Sequence, residues 1–143
     1  MNMKRIVYKW DLEDFINSFN EMGLKSTFEK IKGRNAVLVK VANFEEMKNL
    51  FGYGRSMWAI AYDKRYWNQY VEDKNRWQFV YLNFDVKKEG MGGSAFAFTY
   101  SPKENMFTDA ANRDNASQIS CESIKYILER ILDCPFEIIK NMK

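Results

Sequence analysis

From Trp77 to Phe84 the chain is apolar at nearly every position, without the polar alternation of a half-buried strand. Such a run reads as a central β-strand covered on both faces, which demands a sheet with material packed on each side. The chain has 143 residues, enough for one globular domain and short of two ordinary ones. With 46% apolar and 16% aromatic residues, it is excluded from the disordered, collagen-like and low-complexity classes.

The elements around that strand follow from spacing. Ile6, Tyr8 and Trp10 alternate as a first strand. Asp11 is placed to cap a helix that buries Leu12, Phe15, Ile16, Phe19 and Met22, and Gly23 is its stop. Thr27 to Ile31 and the β-branched run Ala36 to Val41 predict a hairpin about a Gly33-Arg34-Asn35 turn. Asn43 with Glu46 resembles a capping box opening a short helix with Phe44, Met47, Leu50 and Phe51 inward. Met57 to Ala61 reads as a buried strand. Asp63 then caps a helix with Tyr66, Trp67, Tyr70 and Val71 inward.

After Trp77 to Phe84, a glycine turn leads to Ser94 to Tyr100 as the antiparallel partner. Met106 to Thr108 is a further short strand, and Asp109 to Gln118 is a polar loop. A last helix from about Ser120 carries Ile124, Ile127, Leu128, Ile131 and Leu132 on one stripe and stops before Pro135. With no repeat, linker or composition break, the expectation is a single α+β domain over residues 1–143. It is a mostly antiparallel sheet covered by three to four helices.

The sequence contains no histidine. That removes the commonest general base, the commonest transition-metal ligand and any histidine-based triad or zinc motif. The 22 Lys and Arg against 19 Asp and Glu give a net charge of +3, with basic residues scattered in short doublets rather than gathered on a basic face. Cys121 and Cys134 are too far apart along one helix to bond to each other, so free thiols and an intracellular, cytoplasmic setting are expected. No stretch approaches the apolar length of a membrane span, so no membrane association is expected.

Candidate chemistry is thin. Gly52-Tyr53-Gly54-Arg55-Ser56 lacks the third glycine of a dinucleotide loop and the Gly-Lys of a Walker loop, which leaves a tight turn able at most to hold an anion. Asp109, Asn112 and Asp114 miss the calcium-loop pattern, because Ser117 stands where glycine is needed. Asp85, at the end of the long strand, is a lone carboxylate. The cysteines have no histidine to activate them. No catalytic residue, metal ligand or cofactor is therefore assigned. The informative feature is aromatic and basic residues interleaved from Tyr53 to Tyr81. Its partner-binding candidates are Tyr53, Arg55, Tyr62, Lys64, Arg65 and Arg76, since Trp, Tyr and Arg dominate protein-binding hot spots and also stack bases.

In the same stretch Gly54, Trp58-Ala59-Ile60-Ala61, Tyr66-Trp67-Asn68-Gln69-Tyr70 and Trp77 to Asp85 resemble a segment of small uncharacterised phage proteins. There a glycine turn leads to Trp-Cys-Ile-Ala, an aromatic-Trp-x-x-Tyr helix and an apolar strand ending in Asp. The likeness covers about a quarter of the chain. Ala59 replaces the usual cysteine, which favours a small packing position over a catalytic one. The resemblance implies a phage or prophage origin, and a protein that binds and inhibits or modulates a host protein or ribonucleoprotein defence complex, such as a CRISPR effector. A nucleic-acid-binding protein is the alternative and a carboxylate-dependent enzyme the second. Evenly mixed charge suits a monomer, and an uncovered sheet edge suits a homodimer.

Overall fold

In the computed structural model, residues 11–31, 33, 35–51, 59–84, 94–104 and 106–109 are described. They form five antiparallel strands and three helices, an α+β arrangement. The expected first strand, the last helix, Cys121 and Cys134, Asp85, Asn112, Asp114, and the Gly52 to Ser56 segment lie outside the described residues.

Helix α1 spans Leu12–Glu21. The Asp11 carboxylate accepts the Asp14 N–H at 2.8 Å, and Glu13 and Asp14 sit in the first turn, where the helix dipole favours negative charge. Phe15 and Phe19, one turn apart, point into the core, and Gly23 follows the helix at φ +65°, a left-handed conformation that glycine adopts without steric cost. Strand β1, Thr27–Lys30, and β2, Ala36–Val41, form the predicted hairpin, with Gly33 in the turn at φ +77°. Helix α2, Phe44–Phe51, buries the four expected apolar residues.

The run expected as a strand before Asp63 is, over Ala59–Ala61, a single 3₁₀ turn. Ile60 and Ala61 are buried, so the apolar signal is real. An apolar run this short does not specify a strand, and here it is absorbed into the turn that leads to the next helix. Helix α3, Lys64–Trp67, follows and widens into a π-type turn over Asn68–Glu72.

Strand β3, Trp77–Asn83, is the middle strand in the order β1-β2-β3-β4-β5. It pairs with β2 through Val39↔Val80 and with β4, Ser94–Ser101, through Val80↔Ala97. Strand β5, Met106–Asp109, completes the sheet, so Asp109, expected in a polar loop, is a strand residue paired with Phe98.

As the apolar run requires, β3 is buried on both faces. Val80 and Leu82 join Val37, Val39 and Ala97 in a core shared with all three helices. Phe79 and Tyr81 alternate to the other face with Leu38, Phe98 and Tyr100, and these too are buried. There the Phe79 and Phe98 rings stack at 5.3 Å.

Glu46 joins the parts. Asn43 Oδ1 accepts the Glu46 N–H at 2.9 Å, half of the expected capping box. The Glu46 carboxylate accepts weakly from Asn43 Nδ2 (3.5 Å) and more closely from Lys25 N (2.9 Å), Ser26 N (2.8 Å) and Ser26 Oγ (2.6 Å). Ser26 Oγ in turn accepts the Ala42 N–H at 2.9 Å. Partial burial pushes the Glu46 pKa up. The hydrogen bonds from Ser26, Lys25 and Asn43 outweigh it and hold the carboxyl below its ordinary range.

Candidate functional site

Helix α3 positions the site. Its opening follows from Asp63, whose carboxylate accepts the Arg65 N–H at 3.0 Å. The same carboxylate holds the Arg65 guanidinium through Nε (3.2 Å) and Nη2 (2.9 Å). The guanidinium and backbone N–H of Arg65 hold the Asp63 carboxyl below its usual pKa, and the carboxylate raises that of Arg65. Arg65 is thus oriented and its charge locally neutralised, which leaves a flat guanidinium facing water.

Two aromatics accompany it. Tyr62 is 56% exposed and Tyr66 38%, the two large hydrophobic side chains left exposed among the described residues. The Tyr66 ring stacks on Tyr70 at 6.0 Å and 5°, and the Arg65 guanidinium lies 6.0 Å from the Tyr66 ring centre. Lys64 is exposed on the same turn.

The inner side of the element is fixed. Trp67 is 2% exposed, packs on Phe44 at 6.3 Å, and donates from Nε1 to Glu72 Oε1 at 3.3 Å. Val71 is buried beside it in the core. The expectation that Tyr66 faces inward with Trp67, Tyr70 and Val71 is corrected for Tyr66 alone. Trp67 and Val71 form the inward stripe and Tyr70 packs half-buried against the same core, while Tyr66, one residue before Trp67, is exposed.

The sequence candidates therefore separate. Arg65 lies beside Tyr66, which stacks on Tyr70, and exposed Tyr62 precedes them in the chain, whereas Lys64 lines a separate hollow with Asn43, Phe44 and Asp73. Arg76 stands apart as well. It is 7% exposed and donates from Nη1 to Tyr70 O at 3.4 Å, bracing the π-type turn. Tyr53 and Arg55 lie outside the described residues.

Arg76 belongs instead to a cleft of about 420 Å³ at one end of the sheet, lined among others by Lys25, Lys40, Trp67, Glu72 and Trp77. The Lys40 ammonium sits 4.0 Å over the Trp77 ring, and partial burial pushes its pKa down. Sequence reasoning missed Lys25 and Lys40 as site residues. The available signal was Lys40 itself, the single charge in Ala-Val-Leu-Val-Lys-Val.

Among the described residues, no cluster of three His, Cys, Asp or Glu side chains could hold a metal ion, and no helix is long and apolar enough to cross a membrane. No protein-family model, curated protein or solved structure matches the chain.

Proposed function

We propose that this protein works by contact with a macromolecular partner, through the outer face of α3. The observation that carries the reading is the pair of exposed tyrosines, Tyr62 and Tyr66, beside an oriented Arg65 on an element anchored by buried Trp67. Tyrosine and arginine contribute most when they are already ordered, because association then costs less side-chain entropy. Stacking on Tyr70 and the Asp63 fork supply that order.

The partner we propose is a host protein or ribonucleoprotein defence complex, which a small phage-type protein would inhibit by occupying a functional surface. A CRISPR effector is one instance. The phage-like segment in the sequence supports this choice, and it coincides with the α3 region. In this reading the chain binds and does not catalyse.

Nucleic acid is the competing partner, since stacked tyrosines beside Lys64 and Arg65 also suit bases and phosphates. The Asp63–Arg65 pair disfavours it: a carboxylate 2.9 Å from the guanidinium repels a phosphate backbone. The test is affinity capture from host lysate with the wild-type chain and with the double variant Tyr62→Ser/Tyr66→Ser. It is followed by assay of the captured complex for loss of its own activity. The expected result is one stoichiometric partner, inhibited by the wild-type chain and lost with the variant. Equal capture by both chains, or binding to nucleic acid that weakens steeply with salt, would overturn the reading.

A further inference from the structure

A single carboxylate controls the charge that Arg65 shows on the outer face of α3. Asp63 Oδ1 accepts from the Arg65 backbone N–H at 3.0 Å and from Nε at 3.2 Å, and Oδ2 accepts from Nη2 at 2.9 Å. The Nε–Nη2 side is one by which arginine takes a carboxylate or phosphate in bidentate fashion, and here it is filled from within the chain. The Arg65 side chain as a whole remains 85% exposed. An exposed pair of this kind adds little to stability. Its consequence lies in what can dock beside it.

The rings next to this pair suit nucleic acid as well as protein. Tyr62 and Tyr66 are exposed, and the Arg65 guanidinium lies 6.0 Å from the Tyr66 ring centre. Aromatic rings beside a cation are how single strands are held: bases stack on the rings and the cation meets the phosphates. A carboxylate locked on that cation works against the second half. A phosphate that reaches Arg65 also comes close to the Asp63 charge, well inside a Debye length, where salt screens the repulsion poorly. A protein surface avoids the conflict, because it can offer Arg65 a neutral carbonyl oxygen and the tyrosines an apolar contact.

Resting on the reading of this face as a partner surface, we propose that Asp63 is its specificity-determining residue, holding Arg65 so that the face accepts a protein and refuses single-stranded nucleic acid. Asp63 then has two tasks from one position. Its carboxylate caps the helix through the Arg65 N–H, and it offsets the charge that phosphates would seek. Asparagine caps a helix as well as aspartate does, so it keeps the first task and drops the second. Loss of the negative charge alone should therefore turn the face into a binder of single strands, with its helix intact.

Fluorescence anisotropy with a labelled oligo(dT) strand tests the proposal, over a salt series starting at low ionic strength. Asp63→Asn is expected to bind at least about fivefold more tightly than the wild-type chain. Its salt slope should be steeper by about 0.7, the value for one added phosphate contact on a single strand. Asp63→Ser, also a good cap, is expected to gain likewise, and urea unfolding checks that both variants are folded. Glu29→Gln controls for net charge. Register puts Glu29, opposite Leu38, on the sheet face turned away from the helices, so its affinity is expected to stay within about twofold of wild type. Asp63→Asn/Arg65→Gln is expected to lose the gain. No gain in the folded Asp63 variants, an equal gain in Glu29→Gln, or a gain that survives Arg65→Gln would overturn the proposal and leave the partner reading standing. Salt-steep binding of the strand by the wild-type chain, as tight as that of Asp63→Asn, would overturn both.

Discussion

Helices α1 and α3 start with the same device and end in different roles. Each is opened by an aspartate whose carboxylate accepts a backbone N–H from the first turn. Helix α1 then runs regularly for 10 residues, turns Phe15 and Phe19 inward, and stops at a glycine. Helix α3 is regular for 4 residues before it widens, and its cap doubles as a holder for Arg65. Both have an apolar inner stripe. What distinguishes α3 is a second aromatic stripe beside the buried one, with Tyr70 half-buried against the core and Tyr66 exposed. A cap and a stripe therefore predict that a helix forms, and the residues beside the stripe decide whether it also presents a surface.

The sharpest way to break this contrast is truncation on the two helices. Phe15→Ala should cost about 3–5 kcal/mol of unfolding free energy in urea, because it opens a cavity among Phe19, Phe28 and Phe84. Tyr66→Ala should stay within about 0.5 kcal/mol of wild type, as for an exposed position. A large loss for Tyr66→Ala would make α3 as structural as α1.

Glu46 sharpens the comparison from outside both helices, since it fixes the chain between α1 and β1 to the start of α2. Glu46→Gln should cost about 1–3 kcal/mol through weakened charge-assisted hydrogen bonds. Because the folded-state pKa of Glu46 is depressed, its contribution is fully present above the ordinary glutamate value of 4.5. It is lost as the pH falls through the lower folded value. Melting temperatures compared across that acid window should therefore converge for the two chains as the pH drops. The smallest effect is at the α1 cap. Asp11→Ala should cost about 1 kcal/mol by chemical denaturation, without altering partner capture.

Much of the fold was legible in the sequence because the periodic signals were long. The run from Trp77 to Phe84 announced a central strand with two covers, and Leu12 to Met22 announced α1. Where the apolar signal was short it misled. Ile60 and Ala61 are buried without lying in a strand, and Tyr66 is exposed although adjacent in sequence to buried Trp67. Of the candidate surface, Tyr62 and Arg65 were readable because they lie close together in the chain. The cleft was not, because Lys25, Lys40 and Trp77 meet only through strand register.

The sheet order has a kinetic side. Each strand pairs with its sequence neighbour, so most pairings can zip from a nearby turn. The exception is β2 to β3, whose register closes a long excursion containing α2 and α3. Closing that excursion costs chain entropy before any β2–β3 contact rewards it. The buried anchors beneath the tyrosine surface and the walls of the cleft thus share one step in folding: both are completed when Val41 finds Gln78.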